Sequence, residues 1–198
     1  MKVFSITAIG QFGYKTVGGY AEKNRREIMQ NKALVVIDIQ NDITKNYKEV
    51  IDNINAAISI AAENGIRVVY IKHNNLSAGT RTFKPDTRGA ELVPDMKIVS
   101  DDIFVKTKGN ALTSEGFAAF VAEHGIDEFF IAGADAVACV KSTCYNMAKS
   151  GFKVRVLSDC ITSYDKKKIP EMLNYYERNG CSVETSEQAL GCPSRRTE

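Results

Sequence analysis

The chain is 198 residues long, 44% hydrophobic and 25% charged, with a formal net charge of +2. That length suits one domain with a substantial core. The balanced charge points away from nucleic acid or an anionic membrane as partner, and the one basic run, Lys166-Lys167-Lys168, reads as a solvated face. No apolar run approaches the roughly 18 residues of a membrane span, and polar residues and Gly10 follow Met1-Lys2-Val3-Phe4-Ser5-Ile6 too soon for a secretory signal. The 5 cysteines (Cys139, Cys144, Cys160, Cys181 and Cys192) are odd in number and form no CxxC pair, so reduced thiols and a cytoplasmic location are expected.

Residues 1–31 differ in character from the rest. MKVFSITAIGQFGYKTVGGY is rich in glycine and aromatics, and AEKNRREIMQ reads as a short charged helix. This segment is expected to be an arm packing on the domain or on a neighbouring subunit, ahead of a domain at 32–198. From there the chain alternates. Ala33 to Ile37 is a continuous apolar run suited to a strand buried on both faces. Residues 47–64 carry Val50, Ile54, Ala57, Ile58 and Ala61 at helical spacing and end at Gly65. Arg67 to Ile71 is a strand, and a loop of functional length covers roughly 74–100. Ile103 to Val105 is a short strand, and 113–124 a helix capped by Thr113 or Ser114. Glu128 to Ile131 is a strand, Cys139 to Ser150 a helix closed by Gly151, Val154 to Leu157 a strand, and 167–179 a last helix before Cys181 to Thr185. Such alternation predicts a three-layer α/β/α sandwich around a mostly parallel, Rossmann-like sheet. Sites in these sheets lie at the carboxyl ends of the strands.

Three chemically active residues fall there: Asp38 after the first strand, Lys106 after Ile103 to Val105, and Cys139 at the mouth of a helix just past Ile131. Singly, each has an ordinary reading: a turn brace, a solvated cation, a small buried thiol. Together they make a nucleophile with its partners. A helix N-terminus lowers a thiol pKa. An aspartate can take the thiol proton and return it to a leaving amine, and a lysine keeps that aspartate anionic. The small-residue loop Gly133-Ala134-Asp135-Ala136 offers backbone N–H groups, and those of Asp135 and Cys139 are candidates for an oxyanion hole.

Four motifs then resemble those of the isochorismatase-like cysteine hydrolases, a superfamily that includes nicotinamidases and N-carbamoylsarcosine amidohydrolases. VVIDIQND is similar to the aspartate motif, and Thr87 to Leu92 followed by Val93-Pro94 to the central loop. Val105-Lys106 with Gly109 to Leu112 is similar to the lysine motif, and GADAVACVKST with Gly151 and Ser158-Asp159 to the cysteine motif. The resemblance covers about residues 32 to 190. It implies an Asp38–Lys106–Cys139 triad, a cis peptide at Ala134–Asp135, and cleavage of a C–N bond in a small amide, ureido or carbamoyl substrate through a thioester acyl-enzyme.

There are departures. Ile43, Leu112, Ala136 and Ala138 stand where the family more often has other residues. Nicotinamidases build a metal site from Asp-x-His and a further histidine. Here the stretch is Ile71-Lys72-His73-Asn74-Asn75, and the chain has 2 histidines in all, so neither metal nor other cofactor is expected. His73 either lines the pocket or is structural, and His124 reads as a charge partner at a helix C-terminus. Arg81, Arg88 and Lys84 are candidate contacts for a substrate carboxylate. Cys144 is expected to be buried, Cys160 to approach the site, and Cys181 and Cys192 to be peripheral. A homo-oligomer is expected. The alternatives are a vinyl ether or ester hydrolase on the same scaffold, and a non-catalytic interaction protein.

Overall fold

The computed structural model describes residues 31–43 and 47–191. The expected arm, apart from its last residue, lies outside these, as does Cys192. The elements in chain order are β1 (Lys32–Ile37), α1 (Ile51–Glu63), β2 (Arg67–His73), β3 (Ile103–Lys106), α2 (Glu115–Glu123), β4 (Glu128–Gly133), α3 (Cys139–Lys149), β5 (Lys153–Ile161), α4 (Ile169–Arg178), β6 (Ser182–Glu184) and α5 (Ser186–Leu190). All six strands run parallel, in the order β3-β2-β1-β4-β5-β6. The chain therefore winds outward from β1 in one direction and then from β4 in the other. The crevice at the carboxyl ends of β1 and β4 is the switch point where open sheets of this kind place ligands.

Helices cover both faces. α2, α3 and α4 close one core around Val35, Ile37, Phe117, Phe129, Ile131, Val140, Met147 and Tyr176. α1 and α5 close the other around Leu34, Val36, Ile54, Ile58, Tyr70, Phe130 and Leu190. The β1 run alternates between the two cores, which is why it reads as uninterrupted hydrocarbon. Ser114 caps α2.

Several boundaries differ from the sequence reading. α1 begins at Ile51, behind a single 3-10 turn at Tyr47–Glu49. β5 runs to Ile161, because the ladder shifts register between Ile131 and Gly133 and the strand continues through polar Ser158 and Asp159. α5 has no periodic signature, being five residues long, and is set by Thr185 and Gln188 in a reciprocal capping box. Cys181 is not peripheral: it lies in the same core as Cys144, with its sulfur 4.0 Å from the Cys144 carbonyl. Cys160 sits in the core on the other face of the sheet, away from the one that Cys139 packs against.

Candidate active site

Four strand ends deliver four side chains to one point. Asp38 follows β1 directly, with φ 54°, a left-handed turn that aspartate tolerates better than most residues. His73 and Lys106 are the last residues of β2 and β3 and are register partners. Cys139 opens α3, which follows β4 through the loop 134–138. β4 reaches its end against β1 through Gly133 (φ 117°), where a Cβ would stand 2.1 Å from the Ile37 carbonyl oxygen. Only glycine fits there.

The Lys106 ammonium is the centre of the cluster. Its Nζ donates to Asp38 Oδ2 at 2.7 Å and to Cys139 Sγ at 3.3 Å, and lies 3.2 Å from His73 Nδ1. The Lys106 side chain is 0% exposed and that of Asp38 2%. The second oxygen of Asp38, Oδ1, is buried with no hydrogen-bond partner among the described residues. Cys139 is only partly buried, whereas Cys144, Cys160 and Cys181 are sealed in.

The electrostatics correct one expectation. Burial, then the Asp38 charge, push the Cys139 thiol up to about 12, against the pull of Lys106. In the free protein the sulfur therefore keeps its proton at neutral pH, and the helix N-terminus does not leave it ionised. Burial also raises Asp38 above its ordinary 3.8, outweighing Lys106. A carboxylate raised in this way is the better proton acceptor for a neighbouring thiol. Burial and then Lys106 lower His73 below 6.5, so its ring is neutral at pH 7.

The loop between β4 and α3 is held from several sides. The Ala134–Asp135 peptide is cis. The Asp135 carboxylate accepts from Val137 N (2.8 Å), Ser163 Oγ (2.7 Å) and Tyr164 N (2.8 Å). Ala136 N donates to the Thr162 carbonyl, and Tyr176 Oη donates to the Ala136 carbonyl at 2.5 Å. The N–H groups of Ala136, Val137, Ala138 and Val140 all have acceptors, but those of Asp135 and Cys139 have none among the described residues. α3 also lacks a side-chain N-cap. Two backbone donors are thus left open in the stretch that leads into Cys139.

The rest of the aspartate motif ties down the 74–100 loop. Gln40, fully buried, donates to the carbonyls of His73 (3.0 Å) and Ala90 (2.7 Å) and accepts from His73 N (2.7 Å). Asn41 Nδ2 donates to the Arg88 carbonyl, and Asp42 Oδ2 accepts from Phe83 N at 2.8 Å. Phe83 meets the His73 ring edge-on, centroids 5.8 Å apart. Gly89 fits against Asp42 with no room for a Cβ. These roles for Gln40, Asp42, Phe83, Ser163 and Tyr176 were missed in the sequence. For Gln40 and Asp42 a signal existed, since both lie within VVIDIQND. Arg81, Lys84 and Arg88 are exposed on that loop. His124 ends α2 with its ring 4.4 Å from that of Phe120, centroid to centroid.

Asp38, His73 and Cys139 could ligate a metal ion by spacing, with ligand atoms all within 4.8 Å of one another. The donor set does not fit one. The buried Lys106 ammonium already touches all three atoms, so a second cation at that point would face it unscreened.

The family profile described as the isochorismatase domain matches residues 32–188. The chain belongs to the isochorismatase family. Its similarity to an uncharacterized isochorismatase family protein of Bacillus subtilis, YddQ, is 26% identity over 140 residues, 66% of this chain and 78% of that one. The fold is that of N-carbamoylsarcosine amidase from Thermoplasma acidophilum (TM-score 0.70, 20% identity, covering 79% of this chain and 96% of that one). It is equally that of the Pyrococcus horikoshii pyrazinamidase solved with zinc (TM-score 0.70, 22% identity, 78% and 99%). The isochorismatase-family protein is accordingly a hydrolase by family, on a shared α/β scaffold. Among the described residues no helix is long and apolar enough to cross a membrane.

Proposed function

We propose that this isochorismatase-family protein is a cysteine hydrolase that cleaves the C–N bond of a small amide, ureido or carbamoyl compound. The observation that carries the reading is the single buried ammonium of Lys106, which touches both the Asp38 carboxylate and the Cys139 sulfur. Asp38 takes the thiol proton as the sulfur attacks the substrate carbonyl, and Lys106 stabilises the sulfur's charge as it forms. The amides of Asp135 and Cys139 receive the oxyanion. Asp38 returns the proton to the departing ammonia or amine, leaving a thioester. Water, deprotonated by Asp38, then attacks the thioester, and the sulfur regains a proton as the acid leaves. Arg81 and Arg88 bind a substrate carboxylate at the mouth, where Ala substitutions raise KM and spare kcat. Fold neighbours that are amidases support the choice of a C–N bond.

An ammonia-release screen over small amides and ureido acids tests the reading, with Cys139→Ala as control. Release by the wild type that the variant lacks supports it, and release that survives in Cys139→Ala removes it. Alkylation tests the resting state of the sulfur. With the thiol at about 12, the rate of reaction of Cys139 with iodoacetamide keeps climbing through pH 9 and 10. A plateau near pH 7 would restore the ionised sulfur. A homo-oligomer remains part of the proposal, and a monomer by light scattering at micromolar concentration would remove it.

A further inference from the structure

An ammonium has three N–H donors, and each of the three on Lys106 has one acceptor: Asp38 Oδ2, Cys139 Sγ and His73 Nδ1. Two of these belong to the proposed chemistry. The third has no part in it, and the competing arrangement is close at hand. Asp38 Oδ1 is buried and has no hydrogen-bond partner among the described residues, one carboxylate width from the oxygen that Lys106 already holds. Without a third acceptor, the ammonium's lowest-energy response is to turn onto both carboxylate oxygens, because charged hydrogen bonds outweigh one to a neutral thiol. That turn takes its proton away from the sulfur.

We propose that His73 is a positioning residue of this site: its Nδ1 is the third acceptor that keeps the Lys106 ammonium aimed at the Cys139 sulfur. The ring is itself held for this task. Gln40 clamps the His73 backbone on both its N–H and its carbonyl. Phe83 braces the ring edge-on and is fixed in turn by Asp42. The ring's remaining polar contact is with the backbone at Lys108. Accepting from an ammonium requires a bare Nδ1, so the neutral ring carries its proton on Nε2. His73 thereby acts through Lys106, with no requirement to touch the substrate.

The inference rests on Cys139 being the nucleophile, but its test needs no substrate. Nitrogen-15 NMR of the wild-type protein at pH 7 should show the His73 ring with its proton on Nε2, and the only other histidine signal is that of His124. At pH 8, His73→Leu should alkylate at Cys139 about tenfold more slowly with iodoacetamide, the loss of one charge-assisted bond to the forming thiolate. His73→Asn places an amide oxygen near the Nδ1 position and should recover to within about threefold of wild type. A proton found on Nδ1 overturns the proposal. So does alkylation of His73→Leu at the wild-type rate, or of His73→Asn as slow as His73→Leu, both judged on variants with native circular dichroism. A failed amide screen with these results intact would sink the proposed reaction and leave the role of His73 standing.

Discussion

The two ends of the sheet each hold a buried carboxylate beside basic groups, and they treat it in opposite ways. At the amino end, Glu128 uses both oxygens: Oε1 accepts from Arg155 Nε at 2.6 Å and Oε2 from Lys32 Nζ at 2.9 Å. Arg155 also pairs with Glu184 at 3.0 Å. Burial raises the Glu128 pKa, but the bonds to Lys32 and Arg155 outweigh it and the net shift is down. At the carboxyl end, Lys106 holds one oxygen of Asp38, the other has no hydrogen-bond partner among the described residues, and the net shift is up. A satisfied carboxylate is a fastener. A starved one is poised to accept a proton, and it lies beside a thiol that needs to lose one.

The largest effects should separate the ends by function. Asp38→Asn and Cys139→Ala should each lower turnover by about a thousandfold or more, as removal of a base or nucleophile does, with the fold kept by circular dichroism. Glu128→Gln should leave turnover within about twofold. Equal losses at both ends would mean that the contrast is one of stability alone.

Next comes the loss of a cation. Lys106→Met leaves the Asp38 charge buried and unpaired, which costs about 3–5 kcal/mol. Lys32 is partly exposed and Glu128 keeps Arg155, so Lys32→Met should cost about 1 kcal/mol or less. Urea unfolding measures both. Adding Asp38→Asn to Lys106→Met should restore most of the loss, since no buried charge then remains.

How much of this could be read in the residues differs between the two ends. The β1 run and the residues at its end were plain, because a strand buried on both faces shows as unbroken hydrocarbon and Asp38 interrupts it sharply. Lys106 and Cys139 stood out as a cation at the end of a short apolar run and a thiol at the mouth of a helix. His73 did not, since its task depends on register with Lys106 across β2 and β3, a pairing that no spacing along the chain reveals. The polar continuation of β5 was hidden because its pairing survives a register shift. The ionisation of Cys139 was misjudged because a helix N-terminus is visible in sequence and burial beside a carboxylate is not. The Glu128 cluster left no signal at all: Lys32, Arg155 and Glu184 are ordinary charges until the strands align.

pH sharpens the comparison at a smaller scale. Asp38 binds its proton more readily folded than unfolded, so its charge destabilises the fold above its folded pKa, and that penalty disappears as pH falls through that value towards 3.8. Wild type should therefore gain stability relative to Asp38→Asn as pH falls towards 3.8, since the variant leaves Lys106 without its carboxylate at every pH and has no group to titrate at this position. Wild type losing ground to Asp38→Asn on acidification would place the Asp38 shift downward and end its reading as a raised base.

The smallest effect has the opposite sign. Glu128 has a depressed pKa, so its contribution is present above the unfolded value near 4.5 and is lost as pH falls through the folded value. Glu128→Gln should be less stable than wild type at pH 7 by about 1 kcal/mol, since the partly exposed Arg155 and Lys32 are screened by solvent. The difference should vanish once pH has fallen through the folded value, where wild type and variant are both uncharged at this position. Acidification should thus raise the urea midpoint of wild type relative to Asp38→Asn and lower it relative to Glu128→Gln. If wild type moves the same way against both variants, the two carboxylates are doing the same job, and the division of the sheet into a fastened end and a reactive end fails.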